Sequence, residues 1–537
     1  MNDLDMKKIF GLSLIVIFAI LGGVFVYRNS NAPSINQGSN NPMVPAVVET
    51  TSTQVQAVID LKDGDAYTFR LQAVKKTIAG REVDALTYSG TVPGPTIRVP
   101  QGATIHLTLK NDLDRETTLH PHGVRVENAS DGVPNVTQKP IRPGESFTYT
   151  LRFPDAGVFW YHPHLDEVMQ QNLGLYGNFL VAPTSTSYWS PVNREETLVL
   201  QDMLFNENKI ATFNDGRSSY YGMMGRYGNV LHTNGKTDYR LEAKKGEIVR
   251  FFITNVANAR PFRLAIPGAK MKLVGGDNGK YEQETFVDSV TVSPSERAII
   301  EVSFDTVGAF TIVNGTPVRV STMGTVHVSD DSIRVSYLEA FNQLRTNQDV
   351  ITSIDPLRPL FSKQPDKTLD LGFNMMGNGG MMGGTGMMGR GMMDGGMMGS
   401  SVESNDGIEW EDHMGSMNAH MTAATAGWTI TDKATGKTND KINWSFKQGD
   451  YVKIRINNPN TGMHPMQHPF HVHGQRFLVL SENGKANTNM VWKDTVLLPA
   501  GTTTDILVEM SNPGQWMMHC HIAEHLESGM MLNFEVK

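Results

Sequence analysis

From about residue 47 onward, apolar and polar positions alternate in short runs separated by Gly, Pro and Asn, and sustained helical periodicity is scarce. A period of two marks half-buried strands, so an all-β chain of sandwiches or barrels is expected. One run occurs three times, over residues 101–111, 245–255 and 448–458. Each copy has a turn glycine (Gly102, Gly246, Gly449), an alternating strand, and an asparagine nine positions after the glycine (Asn111, Asn255, Asn458). A second shared element follows each time, centred on Gly157, Gly308 and Gly514. Two elements in one order imply three tandem Greek-key β-sandwich domains, at roughly 47–183, 184–355 and 356–537.

The copies differ around these elements. Five residues after Gly157 and Gly514 stand His162 and His519, but five after Gly308 stands Val313. The third copy has Pro469-Phe470-His471-Val472-His473 where the second has Pro261-Phe262-Arg263-Leu264-Ala265. The middle domain keeps the folding signals and lacks the histidines. It is expected to be a spacer, and the histidines of the outer domains are not needed for folding.

Composition adds little until one reaches sulfur. A formal charge of -8 and a pI near 6.1 argue against a nucleic-acid partner. Thirty methionines are unusual, and a single cysteine excludes any internal disulfide. Lys7-Lys8 precede an apolar run from Ile9 to Val26. Residues 1–28 are therefore expected to be a membrane anchor or a removed signal, followed by a tether over 29–46. Either reading makes the protein exported, to the periplasm or the outside, and anchoring by an N-terminal helix is the favoured form.

Ten of the sixteen histidines fall in four clusters. These are His120-Pro121-His122, His162-Pro163-His164, His468 with His471 and His473, and His519-Cys520-His521 with His525. A lone His-x-His is more often an incidental pair than a site, and a lone cysteine is often merely buried. Four clusters in two repeat-related domains, one of them holding the only cysteine, point to metal. On a strand His-x-His aims both rings at one face, so each pair can bridge adjacent metals. Cys520 would face opposite to His519 and His521, letting one segment serve two sites. Thiolate and imidazole with a weak axial methionine, here Met530, suit an electron-transferring copper.

On these clusters the chain resembles the multicopper oxidases (laccases, bilirubin oxidases, ascorbate oxidases and bacterial cuprous oxidases). All four signature segments stand in family order, over about residues 47–537. The resemblance implies three cupredoxin-like domains and four coppers per chain: one type 1, one type 2 and a type 3 pair. Position by position, His468, Cys520 and His525 would hold type 1 copper with Met530 axial. His120 and His471 would hold type 2, and His122, His162, His164, His473, His519 and His521 the type 3 pair. It implies one-electron oxidation of a substrate, transfer through Cys520 and its flanking histidines, and reduction of O2 to water. Asp131 stands where the family often has an acid near type 2 copper. It is a proton-relay candidate, or equally a turn residue before Gly132. Many bacterial relatives have Glu directly after the last type 1 histidine, where this chain has Leu526, and the phase of Glu524 and Glu527 differs. The second proton donor is unassigned. Asp494 matches a recurrent family acid and is given no catalytic role.

Between a strand at Thr368–Phe373 and a strand signal near Trp428 lies an insert, 374–421, carrying five Met-Met pairs among glycines, then His413, Met414, Met417, His420 and Met421. Glycine this dense opposes a packed core, so a flexible loop is the plain expectation. Thioethers also select Cu(I) without needing deprotonation. Met466, two residues before His468, matches a methionine of the cuprous oxidases, but their nearby substrate-site aspartate corresponds to His464. Met466 and His464 are the candidate substrate-metal residues. The expected activity is Cu(I) oxidation serving copper homeostasis, with phenols or aryl amines, as in a laccase, the alternative reductants. A copper-storage protein or a metal-free envelope scaffold is the non-enzymatic alternative.

Overall fold

The computed structural model describes residues 57–375, 406–461 and 465–537. The predicted anchor or signal, the tether, the Met-Met pairs beyond Met375 and the candidate His464 lie outside the described residues. Among the described residues no helix is long and apolar enough to cross a membrane.

Three pairs of sheets succeed one another, as the threefold repeat leads one to expect of an all-β chain. The repeated alternating runs form the strands Thr104–Asn111, Glu247–Asn255 and Tyr451–Asn458. Each lies parallel to an earlier strand (Ala66–Ile78, Arg194–Met203, Lys367–Met375) and antiparallel to a later one (Ser146–Arg152, Arg297–Phe304, Thr502–Glu509). The turn glycines before them have φ of 89°, 80° and 91°, a region costly to a side chain. Each donates its N–H across the sheet, to Phe153, Phe304 and Met510.

The closing asparagines have a common task. Asn111 donates its amide to the carbonyls of Arg115 and Ile141, Asn255 to those of Arg260 and Val292, and Asn458 to those of Met466 and Leu498. Only a short side chain with two N–H donors can satisfy two buried carbonyls from one position. Where the chain leaves one sheet for the next, this amide fixes the crossing.

The second sheet of each pair carries the shared Gly157, Gly308 and Gly514 strands, and its cross-strand ladder places the histidines. His120 lies opposite His162 in the first pair and His471 opposite His519 in the third. In the middle pair the corresponding ladder sets Ala265 opposite Val313. Separate apolar cores fill the three sandwiches, built around Phe69 and Tyr161, Phe251 and Phe304, and Trp428 and Phe534. The third core also contains Cys520, Met466 and Met530, so the thiol sits in low-dielectric surroundings.

Candidate metal centre

The strand Gly514–Cys520 splits its side chains between two places, as the two-residue period requires. Cys520 joins His468 and His525, with its Sγ 3.5 Å from the Nδ1 of each. His519 joins His164 and His473, and His521 joins His122 and His162. A fourth group joins His120, His122 and His471, and Asp131 closes a fifth with His120 and His473. Within each group the donor atoms lie within 4.8 Å of one another. All eleven predicted His and Cys positions are thus gathered into contiguous, buried donor sets. Met530 is fully buried, and its carbonyl accepts the Cys520 N–H at 3.2 Å, which keeps it beside the thiol.

The chemistry of these donors fits a metal. His120, His162, His164, His471 and His521 each bury an Nε2, and His122 its Nδ1, with no hydrogen-bond partner among the described residues. The Nε2 atoms of His473 and His519 face each other at 2.9 Å. Unpartnered buried nitrogens are costly unless a cation takes them. The opposite ring nitrogens are spoken for. His120 donates from Nδ1 to the carbonyl of Asp131, His162 to that of Pro163, His471 to that of Asp494 and His519 to that of Cys520, at 2.7–2.9 Å. Such bonds fix the tautomer that leaves Nε2 a lone pair for a metal.

Three family models, each described as "Multicopper oxidase", match residues 70–186, 160–332 and 412–537. Among curated relatives, the multicopper oxidase mco of Staphylococcus aureus is 24% identical over 510 residues, covering 93% of each chain. Copper resistance protein A of Escherichia coli is 24% identical over 595 residues, covering 86% of this chain and 90% of its own. A solved multicopper oxidase from Campylobacter jejuni, described as a metallo-oxidase, superposes with a TM-score of 0.66 at 24% identity over 90% of this chain and 96% of its own.

The chain belongs to the multicopper oxidases. Its fold is the cupredoxin-like sandwich of those neighbours, and its cofactor is copper, in the type 1, type 2 and type 3 sites that the family uses. Bound copper supplies one-electron redox chemistry and a place for O2. The protein keeps the donors ready. Burial holds His122, His162, His164, His471, His473 and His521 well below the ordinary imidazole range, with neighbouring rings adding to the effect. Burial takes His519 down to about 4. Neutral imidazole is the form that binds metal. Burial pushes the Cys520 thiol well up, so it becomes a thiolate only against a metal's charge.

Asp131 lies inside this oxidase's histidine cluster. Its Oδ2 accepts the His473 Nδ1–H at 2.9 Å while its carbonyl accepts from His120. The turn reading of Ser130-Asp131-Gly132 holds as well: Asp131 ends a short 3-10 turn, and Gly132 has φ of 79° where a Cβ would strike the carbonyl of Leu119. Glu524 and Glu527 point elsewhere. Glu524 is buried against Asn258, with its carboxyl pushed up to about 8 by burial, and Glu527 accepts from Ser218 and Ser219.

Sequence reasoning missed three features. Glu167, three residues after His164 at the start of a short helix, receives the His164 Nδ1 at 3.1 Å, and burial pushes its carboxyl up to about 8. The i, i+3 spacing was the available signal. Asp494 is a direct partner of the cluster, accepting from His122 Nε2 at 3.1 Å. The third is a roof from the middle sandwich. His525 Nε2 donates to the carbonyl of Met223 at 3.3 Å, and Trp428 lies over the His525 ring, 4.2 Å between centroids, while donating its indole N–H to Gly222.

The part of the insert that is described, from Asp406, corrects the flexible-loop expectation for residues 406–421. Gly222 N–H bonds Met421, Ala423 N–H bonds Ser219, and the buried Asn418 amide takes Gly225 and Asp412 while accepting from Met224 N–H. Trp410 is buried, its carbonyl held by Arg260. These backbone bonds give the segment a fixed path beside the Cys520 donor set, despite its polar, glycine-containing sequence. Met414 and Met421 pack against the core that holds Met466 and Cys520.

Proposed function

We propose that this multicopper oxidase draws its electrons chiefly from Cu(I) and passes them to O2, protecting against copper outside the cytoplasm. In this reading His468, Cys520 and His525 hold type 1 copper with Met530 axial, and His120 and His471 hold type 2. The remaining six histidines hold the type 3 pair, and Asp131 relays protons to that cluster. The sequential order His519-Cys520-His521 supports the assignment, since one backbone segment joins the electron-accepting donors to both type 3 groups.

The observation that carries the substrate reading is the covered type 1 face. Met223 of the 211–228 loop and Trp428 cover His525, with the 406–425 segment bonded to that loop, which disfavours bulky organic donors, while Met414, Met421 and buried Met466 put thioethers around the same core. Met375, the first methionine of the Met-Met stretch, pairs with Ala426, next to the 406–425 segment. Soft thioethers suit Cu(I). The relative named copper resistance protein A agrees with this chemistry. Export is supported by Lys7-Lys8 and the apolar Ile9 to Val26.

The test is kcat/KM for Cu(I) and for a phenol, before and after deleting 376–405 only. Removing up to 421 would also strip the packed Trp410 and Asn418. Loss of Cu(I) turnover with phenol turnover kept or raised supports the proposal. Unchanged Cu(I) turnover overturns the role given to the insert, and a wild-type preference for the phenol overturns the substrate.

A further inference from the structure

The middle sandwich gives none of the grouped donors among the described residues, yet it reaches the histidine cluster, chiefly through Arg297. Arg297 opens the strand Arg297–Phe304 and is fully buried. Its Nη1 donates to Asp494 Oδ1 at 2.7 Å and its Nη2 to Asp494 Oδ2, a two-pronged grip on a carboxylate of the third sandwich. The same guanidinium donates from Nε to the carbonyl of Val158 in the first sandwich at 3.1 Å, and from Nη1 to Ser295 in its own. Its backbone N–H donates to Asp277, whose carboxylate also pairs with Lys493 at 3.2 Å. One residue ties all three sandwiches together at the depth of the cluster.

Asp494 hands this grip to two imidazoles. Its Oδ1 accepts from His122 Nε2 at 3.1 Å, and its backbone carbonyl accepts from His471 Nδ1 at 2.8 Å. These bonds dictate which nitrogen of each ring stays free: Nδ1 of His122 and Nε2 of His471, both without other partners. The two rings stack with centroids 3.8 Å apart and share a donor group with His120. Asn278, also of the middle sandwich, donates to Asp494 Oδ2 at 3.0 Å. A second observation concerns the residue directly after His122. Gly123 has φ of 78°, and a Cβ there would lie 2.8 Å from Arg297 Nη2 and 2.9 Å from Asp494 Cγ. The first sandwich leaves room for this pair at the point where its own ligand strand ends.

We infer that Arg297 is a positioning residue for the copper cluster, acting through Asp494 on His122 and His471, with Asn278 assisting. The middle sandwich is then a working part of the copper site rather than a spacer. The inference rests on the assignment of His122 and His471 as copper ligands. Partners of this kind alter metal affinity by about 10–100-fold when removed. Lysine cannot reproduce the fork, so a charge-preserving change should restore only part of the effect.

The experiment uses copper-loaded, full-length protein dialysed against graded chelator, with copper content and electron paramagnetic resonance as readouts. Arg297→Met is expected to lose copper from the His120/His471 group at about 10–100-fold lower chelator, to disturb the type 2 signal, and to keep the blue absorption of the thiolate site. Arg297→Lys should fall between. Arg476→Met, which cuts a different pair joining outer sandwiches (Arg476 to Asp155, 3.1 Å), should keep all copper. If Arg297→Met does not fold, Asn278→Ala decides, with the same shift in smaller measure. Unchanged type 2 copper and signal in the folded variants overturns the inference, as does equal loss in Arg476→Met. His471→Ala separates the two claims: if it retains type 2 copper, the ligand assignment has failed instead.

Discussion

Asp131 Oδ2 sits 2.9 Å from His473 Nδ1, inside a cluster where four other rings, His120, His162, His471 and His519, donate to backbone carbonyls. Its second oxygen, Oδ1, is buried 3.3 Å from His120 Nδ1. A carboxylate here can both orient two rings and take or give a proton, and the two roles separate by substitution. Asp131→Asn keeps the shape and an acceptor oxygen but cannot shuttle a proton. It is expected to retain copper while lowering O2 consumption by about 10²–10⁴-fold, the range for a lost general acid–base group. Asp131→Ala also frees the His473 ring and should lose copper. Equal loss of copper in both variants would leave orientation as the only role.

Cys520 is the sole thiol and lies between two histidines of other donor groups. Serine is nearly isosteric but supplies a hard hydroxyl that a buried copper does not deprotonate as it does a thiol. Cys520→Ser should remove the blue absorption and one copper per chain, and abolish turnover. The other donor sets keep their nitrogens, so the remaining copper should stay bound. Optical spectra and metal analysis of the purified variant check this, and collapse of all copper binding would contradict it.

Much of this arrangement is visible in the linear chain because it follows from short-range periods. The alternation around Cys520 fixes which side chains share a face, and the recurring glycine and asparagine mark three equivalent crossings. What stays hidden is contact between segments far apart in sequence. Nothing near Arg297 announces Asp494, and Met223 acts through its carbonyl, a group every residue has. Glu167 was legible in spacing but needed the burial of His164 to matter. Residues 406–421 of the insert look like a loop because their order comes from partners at 218–228, not from their own pattern.

Asn418 fastens residues 406–421 of the insert. It is fully buried and bonds Met224 N–H, the Gly225 carbonyl and Asp412, each at 3.0 Å. Asn418→Ala strands two buried backbone groups, at a cost on the order of 1–3 kcal/mol each. The roof over His525 should open locally before the sandwiches unfold. Expected are faster amide exchange over 218–228 and 408–425 and higher kcat/KM for a phenol, with copper content unchanged. Exchange and phenol turnover equal to wild type would mean the roof is held elsewhere.

His232 offers a stability switch away from the copper. It lies opposite Gln201 in the middle sandwich, is 1% exposed, and neither ring nitrogen has a partner among the described residues. Burial, aided by the nearby Lys76 charge, takes it down to about 3. An unfolded chain protonates this ring below about pH 6.5, whereas the folded one does not until about pH 3. The unfolded state therefore binds more protons throughout that window, and stability is lost as the pH drops, by up to about 1.4 kcal/mol per unit from this group alone. The copper-free cluster histidines add the same trend, so the contribution is read as a difference between proteins. His232→Leu in copper-free protein should raise Tm at pH 5 more than at pH 7.5, because the variant no longer loses the ring's proton-linked term. An equal Tm shift at both pH values would show that the ring is protonated or solvated in the folded protein.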